Sequence, residues 1–450
     1  MDDGKTRAIL ECGLTTRLLF APLQEGRARR LQSPRGQFWW LVLAALAVVP
    51  AARAAQVCDA RHYGAKADGT TKDTHALQAA IDACAEKGGG TVRLAGGTFL
   101  SGPIVLKSHI TLDVEAGATL LGSADHDDYP ETTVLRTPGR QSLISAAHAE
   151  DLTITGGGTI DGNGTTWWAE ARGQKEHGVM GAGVFRPRLM VFDHCHHILI
   201  EKVTIQNSPS WQVVPYYSDD ITIRDGKILA PQHSPNTDGI DPFSSHHVNI
   251  SNMTIDVGDD NVAIKSGEAN SPGPDDPSTD IHVSNCNFLH GHGMSIGSET
   301  AGGVQNVLAE HIQFKDTDNG VRVKSNRDRG ADIGNLTFRD LKMEDVGTAV
   351  LITEYYPHIP EHDTAQPVTR LTPHFHDILI ENVTATGAKQ TGVIAGLPES
   401  PITTIKLDNV HISGQKSFTI SNATVTTHDF TVQSQTPPPV VLGENGKIEK

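Results

Sequence analysis

The 450-residue chain is short of aromatic side chains (5%) and of charge (20%), and its 37 Lys and Arg are outnumbered by 53 Asp and Glu. A formal charge of −16 excludes a generally basic nucleic-acid binder. Low charge beside 44 Gly and 24 Pro disfavours long charged helices and favours strands and turns. No Pro- or Ser-rich linker divides residues 56 to 430, which argues for one domain. The apolar run FWWLVLAALAVV, Phe38 to Val49, is about a dozen residues, too short for a comfortable membrane span.

That run follows Arg27, Arg29, Arg30 and Arg35 and precedes Ala52-Arg53-Ala54, the layout of an export signal with an A-x-A cleavage pattern. Residues 1–54 are therefore expected to be an N-terminal extension and signal, and residues 55–450 the working domain of a secreted protein, with no membrane attachment after processing. The mature chain would carry a formal charge of about −20, so an anionic ligand would have to be drawn by a few local cations.

Cysteine is also scarce. Cys12 leaves with the signal region, and Cys58, Cys84, Cys195 and Cys286 remain. THALQAAIDACAEKGGG has helical periodicity and stops at Gly88, so a Cys58–Cys84 bridge would tie that helix to the mature N-terminus; free buried thiols are the alternative. Cys195 and Cys286 read as small apolar residues.

What the chain has in abundance is one phrase: ILIEKVTIQ from Ile198, ITIRDGKIL from Ile221, VNISNMTID from Val248, IHVSNCNFL from Ile281, VLAEHIQFK from Val307, LTFRDLKME from Leu336, ILIENVTAT from Ile378 and IKLDNVHIS from Ile405. Each is a pair of short alternating apolar strands with Asn, Asp or Glu near the bend, recurring mostly every 23 to 33 residues or so. Such a unit cannot bury its apolar face alone, so the units must stack. The expected fold is all-β: a single-stranded right-handed parallel β-helix, with a short helix near Asp73 to Glu86 capping its N-terminal end. Pro437 to Pro439 should end regular pairing.

Four polar loci fall on this frame. Asp238 in NTDGIDP precedes one phrase, Asp259-Asp260 in VGDDNVAIKSG follows it, His292 in GHGMSIGSE follows the next, and Arg322 and Lys324 in VRVKS the one beyond. If the coils stack in register, all lie on successive rungs of one face. Val321 and Val323 pointing inward would leave Arg322 and Lys324 outward, able to grip a carboxylate. The same alternation turns Asp260 inward with Val262 and Ile264 unless Gly258 bends the chain, and Asp in such places often caps a turn. Three clustered carboxylates repel, so at least one should stay protonated; an acid and a base in one site suit cleavage of a glycosidic bond, and the cation pair points to a uronic-acid sugar.

At these residues the sequence resembles the polygalacturonases, glycoside hydrolase family twenty-eight, the bacterial endo-acting members above all. NTDGIDP, GDDNVAIKSG, GHGMSIGSE and RVK match that family's motifs in order, and the likeness runs from about Tyr63 to the last repeat. The resemblance implies inverting, metal-independent, cofactor-free hydrolysis of α-1,4-galacturonosidic bonds in polygalacturonate or pectin by a monomer. It makes Asp259 the general acid, Asp238 and Asp260 the activators of water, and His292 the support of the acid. Arg322 and Lys324 would hold the uronate, with Asn236 and Tyr356 as further substrate contacts. Gln212 in NSPSWQV stands where the family often has His. Exo-galacturonosidase, rhamnogalacturonan hydrolase, pectate lyase and a non-catalytic β-helix are the rival readings. Cleft loops are expected at Gly162 to Pro187 and Glu268 to Pro277. HCHH, His194 to His197, reads as a turn rather than a metal site, and Asn249, Asn252 and Asn382 as members of a bend or amide ladder.

Overall fold

A computed structural model describes residues 56–176, 185–269 and 276–450. The export signal expected in residues 1–54 lies outside the described residues, as do residues 177–184 and 270–275 of the two expected loops. No helix among the described residues is long and apolar enough to cross a membrane.

Alternating apolar residues build a right-handed parallel β-helix. One stack of strands runs through Glu150–Thr155, His196–Glu201, Asp219–Arg224, His246–Ser251, Ser278–Ser284, Val304–Glu310, Asp332–Glu344 and His374–Ala395, all parallel. A second stack runs through Thr204–Gln206, Lys227–Leu229, Thr254–Asp256, Asn287–Leu289 and Gln313–Lys315. Equivalent inward positions superpose from coil to coil, as in Ile221, Val248, Ile281, Val307 and Leu336, and all are buried. Removing this apolar surface from water at about 25 cal/mol per Å² is what holds the coils together.

The bends explain the recurrent Asn and Asp. His109, Asp151, His197, Asp220, His247, Asp280, Asn306, Asn335 and Asp377 occupy one equivalent position in successive coils, with φ between 50° and 62°. Asn, Asp and His tolerate this left-handed region better than other side chains. They also bond along the column: His109 to Asp151 (3.0 Å), Asp151 to His197 (3.2 Å), His197 to Asp220 (3.3 Å) and, further on, Asn306 to Asp280 (3.0 Å). A second column holds Asp225, Asn252, Asn285, Asp340, Asn382 and Asn409, in which Asn252 donates to Asp225 at 2.9 Å and Asn382 to Asp340 at 3.1 Å. The ladder read from the sequence is present at Asn252 and Asn382, whereas Asn249 lies within a strand, paired with Thr222 and His282.

Thr74–Ala85 forms the expected helix and buries Ala76, Leu77, Ala80, Ile81 and Cys84 against the first rungs. Cys58 is disulfide-bonded to Cys84, while Cys195 and Cys286 are free and buried. Three features differ from expectation. The loop beginning at Gly162 opens with a helix, Thr165–Glu176. Pairing resumes after Pro437 to Pro439, with Val440–Leu442 on Phe418–Ile420 and Lys447–Glu449 on Thr424–Thr426. His196 and His197 start a strand instead of forming a turn, and each faces an aspartate, Asp219 or Asp220, on the next coil.

Candidate active site

A third stack positions the polar loci. Met190–Asp193 pairs with Val213–Tyr216; bridges from Val213 to Ile240 and from Ile240 to Val262 carry the stack on. Val262–Ile264, Met294–Ile296, Asn319–Lys324 and Thr348–Thr353 follow in register. Ile240, Val262, Met294 and Val321 thus superpose. Asp238, Asp260 and His292 each stand two residues before one of the first three, at the edge of adjacent rungs. Backbone bonds from Gly239 N to Asp260 O (2.8 Å) and from His292 N to Asp259 O (2.8 Å) fasten these edges together.

Asp260 is sealed in. Its Oδ2 accepts from Lys324 Nζ at 2.7 Å, and its Oδ1 from Ser295 Oγ at 2.6 Å and Arg322 Nη1 at 3.1 Å. Burial alone would raise its pKa, but Lys324, Arg322 and Lys265 outweigh burial and hold this carboxyl well below the usual range. Asp238, equally buried, goes the other way. Burial, then the charges of Asp259 and Asp241, push it well above the usual range, and its Oδ1 has no hydrogen-bond partner among the described residues.

Asp259 is the accessible member, its side chain 20% exposed and 2.9 Å from His292 Nδ1. His292 lies 3.3 Å from Asp318 through Nε2. Burial opposes its protonation, but the Asp259 hydrogen bond and the Asp259 and Asp260 charges raise its pKa above the ordinary value. Asn236 is held by Arg186, whose Nη2 donates to Asn236 Oδ1 at 2.7 Å; its own Nδ2 is 3.5 Å from Asp259 Oδ2. The Tyr356 ring lies 5.6 Å from the Arg322 guanidinium and 5.3 Å from Lys324 Nζ, whereas Tyr355 turns away to donate to Asp363 at 2.9 Å.

All eight sequence-derived candidates, Asp238, Asp259, Asp260, His292, Asn236, Arg322, Lys324 and Tyr356, therefore meet at one place. Their environment differs from expectation at one point. Arg322 and Lys324 do not form a solvated cationic face: Lys324 is buried, and both are turned onto Asp260.

Sequence reasoning missed the groups beneath them. Lys265 Nζ, also buried, lies 3.3 Å from Glu299, 3.5 Å from Asp241 and 3.7 Å from Asp238. Burial would lower its pKa, but those carboxylates outweigh burial and keep it charged. Burial, partly offset by Lys265, pushes Asp241 up to about 7. Glu299, where burial is overcome by Lys265, Lys324 and Arg329, is held at about 2. The signal for Lys265 and Asp241 was parity: each stands next to an inward residue, Ile264 or Ile240, and so faces the same side as Ser295 and Arg322. Gln212 is fully buried, and neither amide atom has a partner among the described residues. Its backbone N donates to Asp238 O at 2.9 Å, which places the unusual Gln directly against the carboxylate cluster.

Buried carboxyls of opposite protonation preference, an accessible third carboxyl and a histidine define an acid–base site on a solenoid. The profile of the glycosyl hydrolases family 28 matches residues 84–430. A probable polygalacturonase of Vitis vinifera is 34% identical over 369 residues, covering 78% of this chain and 73% of its own length. An endo-polygalacturonase of Pectobacterium carotovorum subsp. carotovorum is 31% identical over 377 residues, covering 80% and 89%. A solved exopolygalacturonase from Thermotoga maritima superposes with a TM-score of 0.72 at 28% identity, covering 86% of this chain and 92% of its own. The chain belongs to glycosyl hydrolases family 28 and is a glycoside hydrolase.

Proposed function

We propose that the chain is a secreted, monomeric polygalacturonase that cleaves α-1,4-galacturonosidic bonds in polygalacturonate by inverting, metal-independent acid–base hydrolysis in the endo mode, with residues 55–450 as a single catalytic domain. The observation that carries this reading is the splitting of the buried carboxyls, Asp238 pushed up and Asp260 held down on adjacent rungs. A site whose carboxyls differ this much in their hold on a proton can keep a proton for the leaving oxygen beside an ionised carboxylate, as glycoside hydrolysis requires.

Asp259 is the acid in this scheme because it is the accessible carboxyl, with His292 beside it. Burial and the neighbouring charge of Asp259 favour a proton on Asp238. Moving the proton from Asp238 to Asp259 leaves the acid facing the leaving oxygen and Asp238 free to take a proton from water, while Asp260, ionised between Lys324 and Arg322, helps to hold that water by its charge. Arg322 reaches the substrate carboxylate while Lys324 fixes Asp260, and the Tyr356 ring packs against the sugar.

The endo mode rests on the 31% identity to the Pectobacterium enzyme; the exo alternative is favoured by the structural likeness to the Thermotoga exopolygalacturonase. Coils about 4.8 Å apart are closer than the carboxyl spacing usual for inversion, so stereochemistry is a separate measurement. Purified chain is incubated with polygalacturonate and chelator, following reducing ends, ultraviolet absorbance, oligomer lengths and the anomer first released. Reducing ends without unsaturated product are expected, as mixed oligomers with inverted configuration. Monomer or dimer alone would make the mode exo. Chelator-sensitive absorbing product would overturn hydrolysis.

A further inference from the structure

A cluster outside the candidate active site has the makings of a metal centre. Asp332 and His374 are paired residues on adjacent strands of the first stack, Asp332–Glu344 and His374–Ala395, and His376 projects two residues beyond His374 on the same face. Asp332 Oδ1 is 3.0 Å from His374 Nδ1 and 3.1 Å from His376 Nε2, and the three donor atoms lie within 4.8 Å of one another. A tetrahedral zinc ion with bonds of about 2.0–2.1 Å places its donors roughly 3.3–3.4 Å apart, so small adjustments suffice.

Three further features orient these donors. His376 Nδ1 is 2.9 Å from Asp377 Oδ2, and Asp377 is itself anchored by its backbone N on Thr404 Oγ1 at 2.6 Å. This carboxylate–imidazole pairing fixes the ring and leaves Nε2 as the lone-pair donor, the arrangement found behind most metal-binding histidines. Gln305 Nε2 donates to Asp332 Oδ2 at 2.8 Å, which directs Oδ1 to the two imidazoles. Gly334, paired with His376, leaves the space that the ring fills; a Cβ there would collide with the imidazole atoms.

We infer that Asp332, His374 and His376 form a binding site for a borderline divalent transition metal, of which zinc is the representative, with a fourth position open to water. The site staples one coil to the next across the segment 333–373, which includes Tyr356. It is separate from the proposed hydrolysis, whose residues lie on the third stack, and does not depend on it. His196, Asp219 and Asp220 also form a donor group, but there the neighbouring His197 draws on Asp220 and Asp151, and His247 on Asp219.

The experiment is calorimetric titration of the tag-free full chain with zinc chloride at pH 7.5, with cobalt(II) visible absorption and the Tm as second readouts. Wild type is expected to bind one equivalent more than His376→Gln, and to gain a zinc-dependent rise in Tm that the variant lacks. Asp377→Asn, which leaves all three donors in place, should weaken that equivalent by about 10- to 100-fold. Equal stoichiometry and affinity in wild type and both variants would overturn the site, as would a Tm indifferent to zinc. If His376→Gln fails to fold, the Asp377→Asn affinity decides.

Discussion

Lys324 Nζ stands 2.7 Å from Asp260 Oδ2, and the two side chains are only 5% and 2% exposed. A buried pair of this kind contributes little net stability while intact, but removing one partner strands the other charge. Lys324→Met is therefore expected to destabilise the fold by about 3 kcal/mol and to cut kcat by at least about 100-fold. Adding Asp260→Asn should return much of the lost stability, read by denaturant melts, but none of the activity. A double variant no more stable than the single one would show that the lysine acts through packing alone.

His292 is expected to set the alkaline side of the pH profile. Its pKa is raised, so its charge and the stability it brings are fully present below about 6.5, its ordinary value, and are lost as pH rises through the folded value. The rate should fall over the same interval. His292→Gln is expected to lower kcat and to move or abolish that alkaline limb; an unchanged limb would assign it to another group.

Asp241 predicts a pH-dependent stability of its own. Burial raises it to about 7, so its contribution is complete below about 3.9 and is lost as pH rises towards neutrality. Asp241→Asn should flatten the decline in Tm between pH 4 and pH 8 or so. Should the variant instead be less stable at the alkaline end, ionised Asp241 would be a needed counter-charge for Lys265.

The Cys58–Cys84 bond closes a loop with a separation of 26 residues and fastens the capping helix to the first rung. Replacing both cysteines by alanine should cost about 3 kcal/mol, with unfolding beginning at lower temperature in calorimetry. An unshifted Tm would mean that the helix docks as firmly without the bond.

The coil pattern was legible because its period is local: inward Val and Ile at alternate positions and left-handed Asn or Asp at each bend are written within nine residues. The site was legible through register, since motifs two residues ahead of superposed inward residues must come together. Contacts between rungs were harder to read. Nothing around Arg322 and Lys324 reveals that both lie against Asp260 and that Lys324 is buried there. Lys265 stood in a motif already singled out, but its three carboxylate neighbours come from two other coils. The helix Thr165–Glu176 interrupts the strand pattern with no repeat to flag it, and Asp332 meets His374 only because a full coil, lengthened after Thr353, closes between them.

The column of left-handed residues changes chemistry along its length. From His109 to Asp280 it alternates imidazole with carboxylate, at Asn306 and Asn335 it turns to amides, which do not titrate, and at Asp377 it returns to a carboxylate. His247, whose pKa is raised by its Asp219 hydrogen bond, gives up its contribution as pH climbs through that value, while the bond from the Asn306 amide to Asp280 has no imidazole to lose a proton. Because each coil leans only on its neighbours, the loss at His247 is felt first by the coils it joins. Alkaline solutions should loosen the solenoid there, and hydrogen exchange resolved along the chain would read this as faster opening around His247 than around Asn306.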